Sequence, residues 1–384
     1  MNCSKDSNFA MLALPPSTLM PRTTIFIAAG EPSGDLHAAR LMEQLRLCIP
    51  DVVFEGIGGP AMEMQGLRSM ARLKDLAVSG FWEVARRYGF FRALLSRCKH
   101  HISTSRPAAF IPVDYPGFNL RLAQHARSLG IPVTWYIAPQ LWAWGKNRGS
   151  TLANSVSLLL TVFPFEEAFF REFGIKSTYV GHPLLDDEVF TSMPAHTSST
   201  LALFPGSRKQ ELSHHIDILR RMLPLLDTSI QPIVAAAASI DASLLAPLVD
   251  AGASVSTEPR PLLANAGAAL LKAGTSTLEA TLLGLPFATF YRTSAVSYSL
   301  SRRMATVSSV TMANILLKRN VVPEFLQSAA TPQALAAAAH ALFTDKGQRD
   351  TLRAVSEEVR TLLGGPGAAR RAAHAIATVV ERRR

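Results

Sequence analysis

From Thr24 onward, short unbroken apolar runs alternate with longer stretches whose apolar residues recur every three to four positions. The runs near 24–29, 52–54, 109–113, 131–137 and 158–163 have the continuous hydrophobicity of strands buried on both faces, as in a parallel sheet. Between them the 3.6-residue period predicts helices near 34–48, 80–104, 118–129 and 165–173. The scheme then begins again. Strands are expected near 200–204, 232–237, 253–256, 268–271 and 286–290, and helices near 208–226, 241–250, 275–284 and 296–305. Two such series predict an α/β chain of two Rossmann-type, doubly wound domains facing each other across a cleft. The first is expected over 23–190 and the second over 200–345, with the polar stretch Val189–Ser199 between them. Residues 1–22 read as a flexible extension. Residues 332–382 are Ala-rich and helical in pattern with a break at Gly364-Gly365-Pro366-Gly367, and 346–384 read as C-terminal helices packing back on the first domain. Ligands of such sheets bind beyond the carboxyl ends of the strands, so the chemistry belongs at the strand-to-helix junctions.

The first junction is Ala29-Gly30-Glu31-Pro32-Ser33-Gly34-Asp35. Its glycines allow a tight turn and close approach of a ligand, and the helix behind them favours an anion; a plain helix start capped by Ser33 explains the same residues. It is neither GxGxxG nor a Walker loop, so a nicotinamide dinucleotide is not indicated. Phe204-Pro205-Gly206-Ser207-Arg208 sets a turn and a guanidinium at a second mouth, fit to hold phosphate by forked hydrogen bonds or simply a surface Arg on a first turn. In Lys272-Ala273-Gly274-Thr275-Ser276-Thr277-Leu278-Glu279, hydroxyls and backbone donors suit a diphosphate and Glu279 suits ribose hydroxyls, against an ordinary capped helix. Two such mouths in one domain favour a nucleotide. Val113-Asp114-Tyr115-Pro116-Gly117-Phe118-Asn119 ends a strand with a carboxylate, placed to take a proton from an incoming hydroxyl or to cap an Asx turn. The loop Pro139–Gly145 carries two of the four tryptophans, as packing or as a wall for a sugar, and His182 touches a ligand or secures the linker.

Composition narrows the partners. Of the 384 residues, 48% are hydrophobic and 18% charged, enough for two sizeable cores. The net charge of +10 is uneven, with 19 Lys and Arg against 16 Asp and Glu up to residue 195, and 20 against 13 after it. Such a balance suits phosphorylated substrates or an anionic membrane surface; no nucleic-acid motif accompanies it, and no nucleic-acid partner is expected. Cys3, Cys48 and Cys98 form no CxxC pair, which argues against a disulfide framework and a zinc site and suits a reducing compartment. No apolar run approaches the roughly 18–20 residues of a membrane span, and the first twenty residues make a poor signal peptide, with Met1, Met11 or Met20 as the start. A cytoplasmic protein is expected. With no DxD, HExxH or GxSxG in the chain, neither a metal nor a cofactor is expected. Phe81, Val84, Ala85, Tyr88, Phe91 and Leu95 recur at helical spacing beside Trp82 and among Arg86, Arg87, Arg92 and Arg97, a core face on pattern alone or an interfacial membrane helix.

Taken in order over residues 24–320, Gly30–Asp35, Gly58–Pro60, Gly80–Val84, Asp114–Asn119, Pro139–Trp144, Phe163–Phe165, Gly181-His182, Pro205–Arg208 and Gly274–Glu279 resemble the lipid-A-disaccharide synthase family of GT-B-like, inverting glycosyltransferases. The resemblance implies joining UDP-2,3-diacylglucosamine to 2,3-diacylglucosamine 1-phosphate, giving a β-1′,6 tetra-acyl disaccharide phosphate and UDP without a metal. It implies an acceptor- and lipid-binding first domain and a UDP-sugar-binding second domain. Asp114 and Glu31 would be catalytic. Gly206, Ser207, Arg208, Thr275, Ser276, Thr277, Glu279 and Asn314 would bind UDP. Gly30, Ser33, Gly34, Asn119, Gln140, Trp142 and His182 would face sugar or acceptor. Because both substrates carry acyl chains, Phe81, Trp82, Val84, Tyr88 and Phe91 become an expected membrane patch, placing the protein peripherally on the cytoplasmic face of the inner membrane. Family members can also dimerise through C-terminal elements. Two departures stand out: Met312-Ala313 precedes Asn314 where the family usually has Leu-Pro, which relaxes that loop, and Ala138 replaces a usual Ser. Rivals of the same architecture are a UDP-N-acetylglucosamine epimerase and a peptidoglycan glycosyltransferase; from another class comes a nucleotide-sugar-binding protein without turnover.

Overall fold

A computed structural model describes residues 22–76, 87–237 and 240–383. The apolar runs form two fully parallel sheets. In the first, β1 (Thr23–Ala29), β2 (Val52–Ile57), β3 (Arg68–Ser69), β4 (Ala109–Val113), β5 (Thr134–Tyr136), β6 (Leu158–Thr161) and β7 (Ser177–Tyr179) lie in the order β3-β2-β1-β4-β5-β6-β7. The second has β8 (Thr200–Phe204), β9 (Gln231–Ala235), β10 (Ser254–Ser256), β11 (Ala268–Lys272), β12 (Phe287–Tyr291) and β13 (Glu324–Leu326) in the order β10-β9-β8-β11-β12-β13. Each chain path moves outward for three strands, then returns to the other side of its first strand. The order therefore reverses between β1 and β4 in one sheet and between β8 and β11 in the other, and these switch points are where crevices open.

The central strands β1, β4, β8 and β11 are almost wholly buried, as continuous apolar sequence requires. Pro112 is tolerated inside β4 because that side of the ladder is sparse: β5 pairs with β4 only at Val113–Tyr136, with a separate bridge between Phe110 and Val133. Helix α1 (Pro32–Cys48) begins directly after β1, with Pro32 at its start, where a missing N–H costs nothing. Asp35 then reaches sideways, its carboxylate accepting from the backbone N–H of Gly59 (2.8 Å), Ala61 (3.0 Å) and Met62 (3.1 Å). This fixes the loop after β2 against α1.

In the second domain α2 (Lys209–Met222) follows β8 and α3 (Thr275–Leu283) follows β11. The C-terminal helices divide between the two bodies. Helix α4 (Lys346–Leu363) packs on α3, whereas α5 (Ala368–Glu381) crosses back and lies along α1. Alanines at 369, 372, 373 and 377 let α5 approach closely, and Ile376 and Val380 are buried in the core that α1 shares with β1. Burying those two branched side chains is worth about 1.5–3 kcal/mol each.

Candidate active site

The two switch points face one cleft of about 670 Å3. Ser33, Gly34, Asp114, Gln140, Trp142 and His182 line it from the first domain, and Arg208 and Thr275 from the second. These are eight of the positions singled out in the sequence, gathered from six separate motifs.

Asp114 follows the last residue of β4 and is half-buried at the cleft wall. It and Tyr115 are consecutive non-glycine residues in the left-handed region, with φ of 45° and 51°. Such a pair persists only where the surroundings impose it, and functional sites are where it recurs. Asn119 supplies the restraint. Its fully buried amide Nδ2 donates to the carbonyls of Ala28 (3.1 Å) and Asp114 (2.8 Å), tying the ends of β1 and β4 together. Asn119, expected to touch acceptor, therefore faces the fold and positions Asp114. Gly30 is likewise a packing position, since a Cβ there would stand 2.3 Å from the Tyr115 ring. Burial raises the Asp114 carboxyl to about 6, the nearby Glu31 charge adds to the rise, and the Tyr115 N–H opposes it. Asp114 is thus a carboxylate at neutral pH with unusual affinity for a proton, which is what a general base needs.

An aromatic wall continues from it. Trp142 is nearly buried, and its indole Nε1 donates to Glu166 Oε1 at 2.9 Å. Oε2 of Glu166 accepts from the N–H of Val162 and of Phe163, both at 3.0 Å. Glu166 is fully buried, and burial lifts its carboxyl to about 7 despite these three donors. His182 accepts from Leu184 N–H on Nδ1 (3.3 Å), so Nε2 carries its proton. Burial, with His37 beside it, depresses the ring to about 3, so it is neutral. His37, one turn into α1, lines the same cleft; burial and the charges of Arg40 and Arg260 hold it near 4. Its Nδ1 finds no hydrogen-bond partner among the described residues.

On the second domain the turn after β8 and the mouth of α3 lie side by side, because β8 and β11 are neighbours. Gly206 has φ 124°, and a Cβ there would come within 2.6 Å of Glu211 Oε2. Only glycine fits. That oxygen accepts from Ser207 N–H at 3.2 Å, Oε1 receives Lys272 Nζ at 2.9 Å, and Arg208 lies 3.8 Å away. Lys272 and Glu211 both line the cleft. Across it the loop at 142–144 is fastened to the second domain: Trp144 bridges Ala305, Thr306 N–H donates to Ala143 O at 3.2 Å, and Thr306 Oγ1 donates to Trp142 O.

Several expected UDP contacts turn inward. All four hydrogen-bonding capacities of the Asn314 amide, in the helix Met312–Leu317, are used on the segment that follows it: Nδ2 donates to Val322 O (3.0 Å) and Glu324 Oε1 (2.8 Å), and Oδ1 accepts from Val321 and Val322 N–H (both 2.9 Å). Its neighbours Met312 and Ile315 line the cleft instead. Thr277 is buried and donates to Gly274 O at 2.7 Å. Ser276 is half-buried on the first turn of α3. Glu279 accepts from Arg260 Nε at 3.2 Å; burial raises its carboxyl, against the pull of Arg260. Arg260 also reaches Asp187 (2.9 Å), which pairs with Arg40 of α1 (2.7 Å). Of the expected membrane patch, Phe81, Trp82 and Val84 lie outside the described residues. Tyr88 is exposed, but Phe91 packs partly against the core of the first domain, and Phe90 is the exposed phenylalanine among the described residues. No described helix is long and apolar enough to cross a membrane.

A family model described as lipid-A-disaccharide synthetase matches residues 25–379. The chain belongs to the lipid-A-disaccharide synthetase family. It is a glycosyltransferase of lipid A biosynthesis by that membership, and the epimerase, peptidoglycan and binding-protein readings give way to it. Proteins named lipid-A-disaccharide synthase from Anaeromyxobacter dehalogenans (strain 2CP-1) and Syntrophus aciditrophicus (strain SB) are similar along their whole length. They are 36% and 35% identical over 94% and 93% of this chain, and 99% and 98% of their own. Among solved structures, a UDP-GlcNAc 2-epimerase from Neisseria meningitidis bound to UDP-GlcNAc matches with a TM-score of 0.62 at 10% identity, over 94% of this chain and 99% of its own. A calicheamicin glycosyltransferase matches at 0.59 and 15%, over 94% and 99%. At that identity the likeness is one of fold, the GT-B-like pair of Rossmann-type domains.

Proposed function

We propose that this chain transfers 2,3-diacylglucosamine from UDP to the 6-hydroxyl of 2,3-diacylglucosamine 1-phosphate, with inversion at the anomeric carbon. The observation that carries this reading is the pairing, across one cleft, of a proton-avid carboxylate (Asp114) with a cationic, amide-lined mouth (Arg208, Thr275 and the turn at Gly206). The acceptor oxygen bonds to the anomeric carbon as its proton passes to Asp114. The bond from that carbon to the β-phosphate oxygen breaks, and its electron pair leaves with UDP. Arg208 and the N-terminus of α3 face the charge that then develops on the diphosphate. Glu31 acts through Asp114 by raising its proton affinity. Glu279 serves the ribose with its second carboxylate oxygen, and Trp142, Gln140, His182, Ser33 and Gly34 border the sugar and acceptor. Exposed Tyr88 and Phe90 beside Arg87 and Arg92 support peripheral attachment to an anionic membrane face, from which acylated substrates enter.

The deciding experiment gives purified protein both acylated substrates, with EDTA present, and separates the products by thin-layer chromatography. Equal yields of UDP and a tetra-acyl disaccharide phosphate are expected. UDP binding with no disaccharide would overturn the acceptor assignment. Flotation with anionic vesicles tests the attachment: a Tyr88→Ser, Phe90→Ser variant that floats as well as the parent would refute it.

A further inference from the structure

We propose that Lys272 is a second diphosphate-binding cation of the active site, held in position by Glu211, and that it acts with Arg208 on the leaving UDP. This rests on the transferase reading above and adds a contact to it. Lys272 is the last residue of β11, at the switch point beside β8. Its ammonium lies over the entry to α3, 3.4 Å from where a Cβ on Gly274 would stand, and it lines the cleft with Arg208. Only 18% of the side chain is exposed.

The local charge balance is what points to a ligand. One carboxylate, Glu211, faces the Lys272 ammonium at 2.9 Å, the Arg208 guanidinium at 3.8 Å and the Ser207 N–H at 3.2 Å. Two cations against one anion leave an excess positive charge at the cleft wall, where Lys272 and Glu211 are largely buried and Arg208 is half-exposed, and such a mouth attracts an anion. A diphosphate entering between the β8 turn and α3 supplies the missing negative charge. Lys272 has three N–H donors, one of them engaged by Glu211, and the others are available to a phosphate oxygen. When the anomeric bond breaks and its electron pair moves to the β-phosphate oxygen, the charge there rises and both cations gain in attraction. Glu211 touches no substrate in this scheme; it is a positioning residue that gathers the turn and both cations.

The test is calorimetric titration of UDP and of UMP into the full chain and its Lys272→Met, Lys272→Arg and Glu211→Gln variants, with turnover measured on each. UDP should bind about 10- to 100-fold more weakly to Lys272→Met, the worth of a lost charge-assisted contact, while UMP stays within about threefold. Retained UMP binding also certifies the fold. Arg should restore most of the UDP preference, and kcat should fall with the Met variant, not KM alone. Glu211→Gln should weaken UDP as well, with no further loss when combined with Lys272→Met. An unchanged UDP-to-UMP ratio in Lys272→Met overturns the proposal. Should the Met variant lose UMP too, Lys272→Gln against Lys272→Arg decides, and equal ratios in that pair overturn it. A parent protein that fails to prefer UDP over UMP refutes instead the placement of the diphosphate.

Discussion

Replacing Glu31 by Gln should move the acid limb of the pH–rate profile and leave its plateau nearly in place. Asp114 stands at about 6 against an ordinary 3.8, through burial first and the Glu31 charge second. That rise of about two units corresponds to about 3 kcal/mol against the ionised form. Only the carboxylate accepts the acceptor's proton, so the rate should rise with pH and level off above the titration. At pH 5 about one-tenth of Asp114 is ionised, whereas an unperturbed aspartate would be roughly nine-tenths ionised. The parent should therefore lose about tenfold in kcat/KM between pH 8 and pH 5. Glu31→Gln removes the repelling charge, lowers the Asp114 titration and recovers part of that loss. The acceptor phosphate also titrates near 6, but it is common to both enzymes, so the difference between their profiles isolates Glu31. Stability runs the other way. A folded-state pKa raised above the unfolded one favours the fold below about pH 4, and that contribution is lost as pH rises through 6. Asp114→Asn should consequently be more stable than the parent at pH 8, while losing about two to four orders of magnitude in turnover. A parent profile flat from pH 8 to 5, or an acid limb unmoved by Glu31→Gln, would refute the reasoning.

Asp187→Asn should destabilise the protein by about 2–4 kcal/mol at pH 7 in urea melts, because it breaks the partly buried bridge between Arg40 and Arg260. Burial pushes the Asp187 carboxyl up, but the Arg40 bond and charge, the Val189 N–H and Arg260 outweigh it and hold it below the ordinary value. The contribution is thus present above about pH 4 and lost on acidification, and the variant should lose that part of the acid dependence. Glu166→Leu orphans the Trp142 indole and the Val162 and Phe163 N–H groups, at about 1–3 kcal/mol each; a loss under 1 kcal/mol, or unchanged tryptophan fluorescence, would contradict the clamp. Gly206→Ala forces a Cβ against Glu211 at φ 124° and should cost about 1–3 kcal/mol together with UDP affinity. Equal melting and equal UDP binding would show that the turn yields freely.

Sequence pattern revealed the long buried strands because burial on both faces leaves an unbroken apolar run. It missed β3, β7 and β13, edge strands of two or three residues, which are too short to show any period. Helix Pro259–Asn265 carries two prolines in its first turn and also escaped. Asp114, Arg208 and Thr275 stood out because they occupy strand-to-helix mouths, which the parallel fold turns toward a single cleft. For Asn119 and Asn314 the motif marked the right positions with the wrong direction: a side-chain amide near a helix start looks the same whether it reaches a ligand or nearby backbone. Glu166 and Glu211 were invisible as anchors, since their partners Trp142 and Lys272 lie 24 and 61 residues away in the chain. Glu211 stands three positions after Arg208, in the first turn of the helix that Arg208 precedes, and that proximity was the available clue.

The chain passes between the two bodies twice, at residues 187–199 and again at 364–367, and the passages are stapled to each other. Asp186 accepts from the N–H of Gly367 (2.5 Å), Ala368 (3.0 Å) and Ala369 (2.8 Å), while Arg360 donates to the carbonyls of Phe190 (2.7 Å) and Thr191 (2.9 Å). Two bodies joined by one tether swivel about any axis. Joined by two tethers side by side, they keep a single easy rotation, like a door on a pair of pins. Gly364 and Gly367, at φ 73° and 101°, let the second crossing turn where a side chain would be strained. Any rotation on that axis has to break the Trp144–Ala305 bridge and the bonds from Thr306 to Ala143 and Trp142, so those contacts, and not the paired crossings, set the width of the cleft between Asp114 and Arg208.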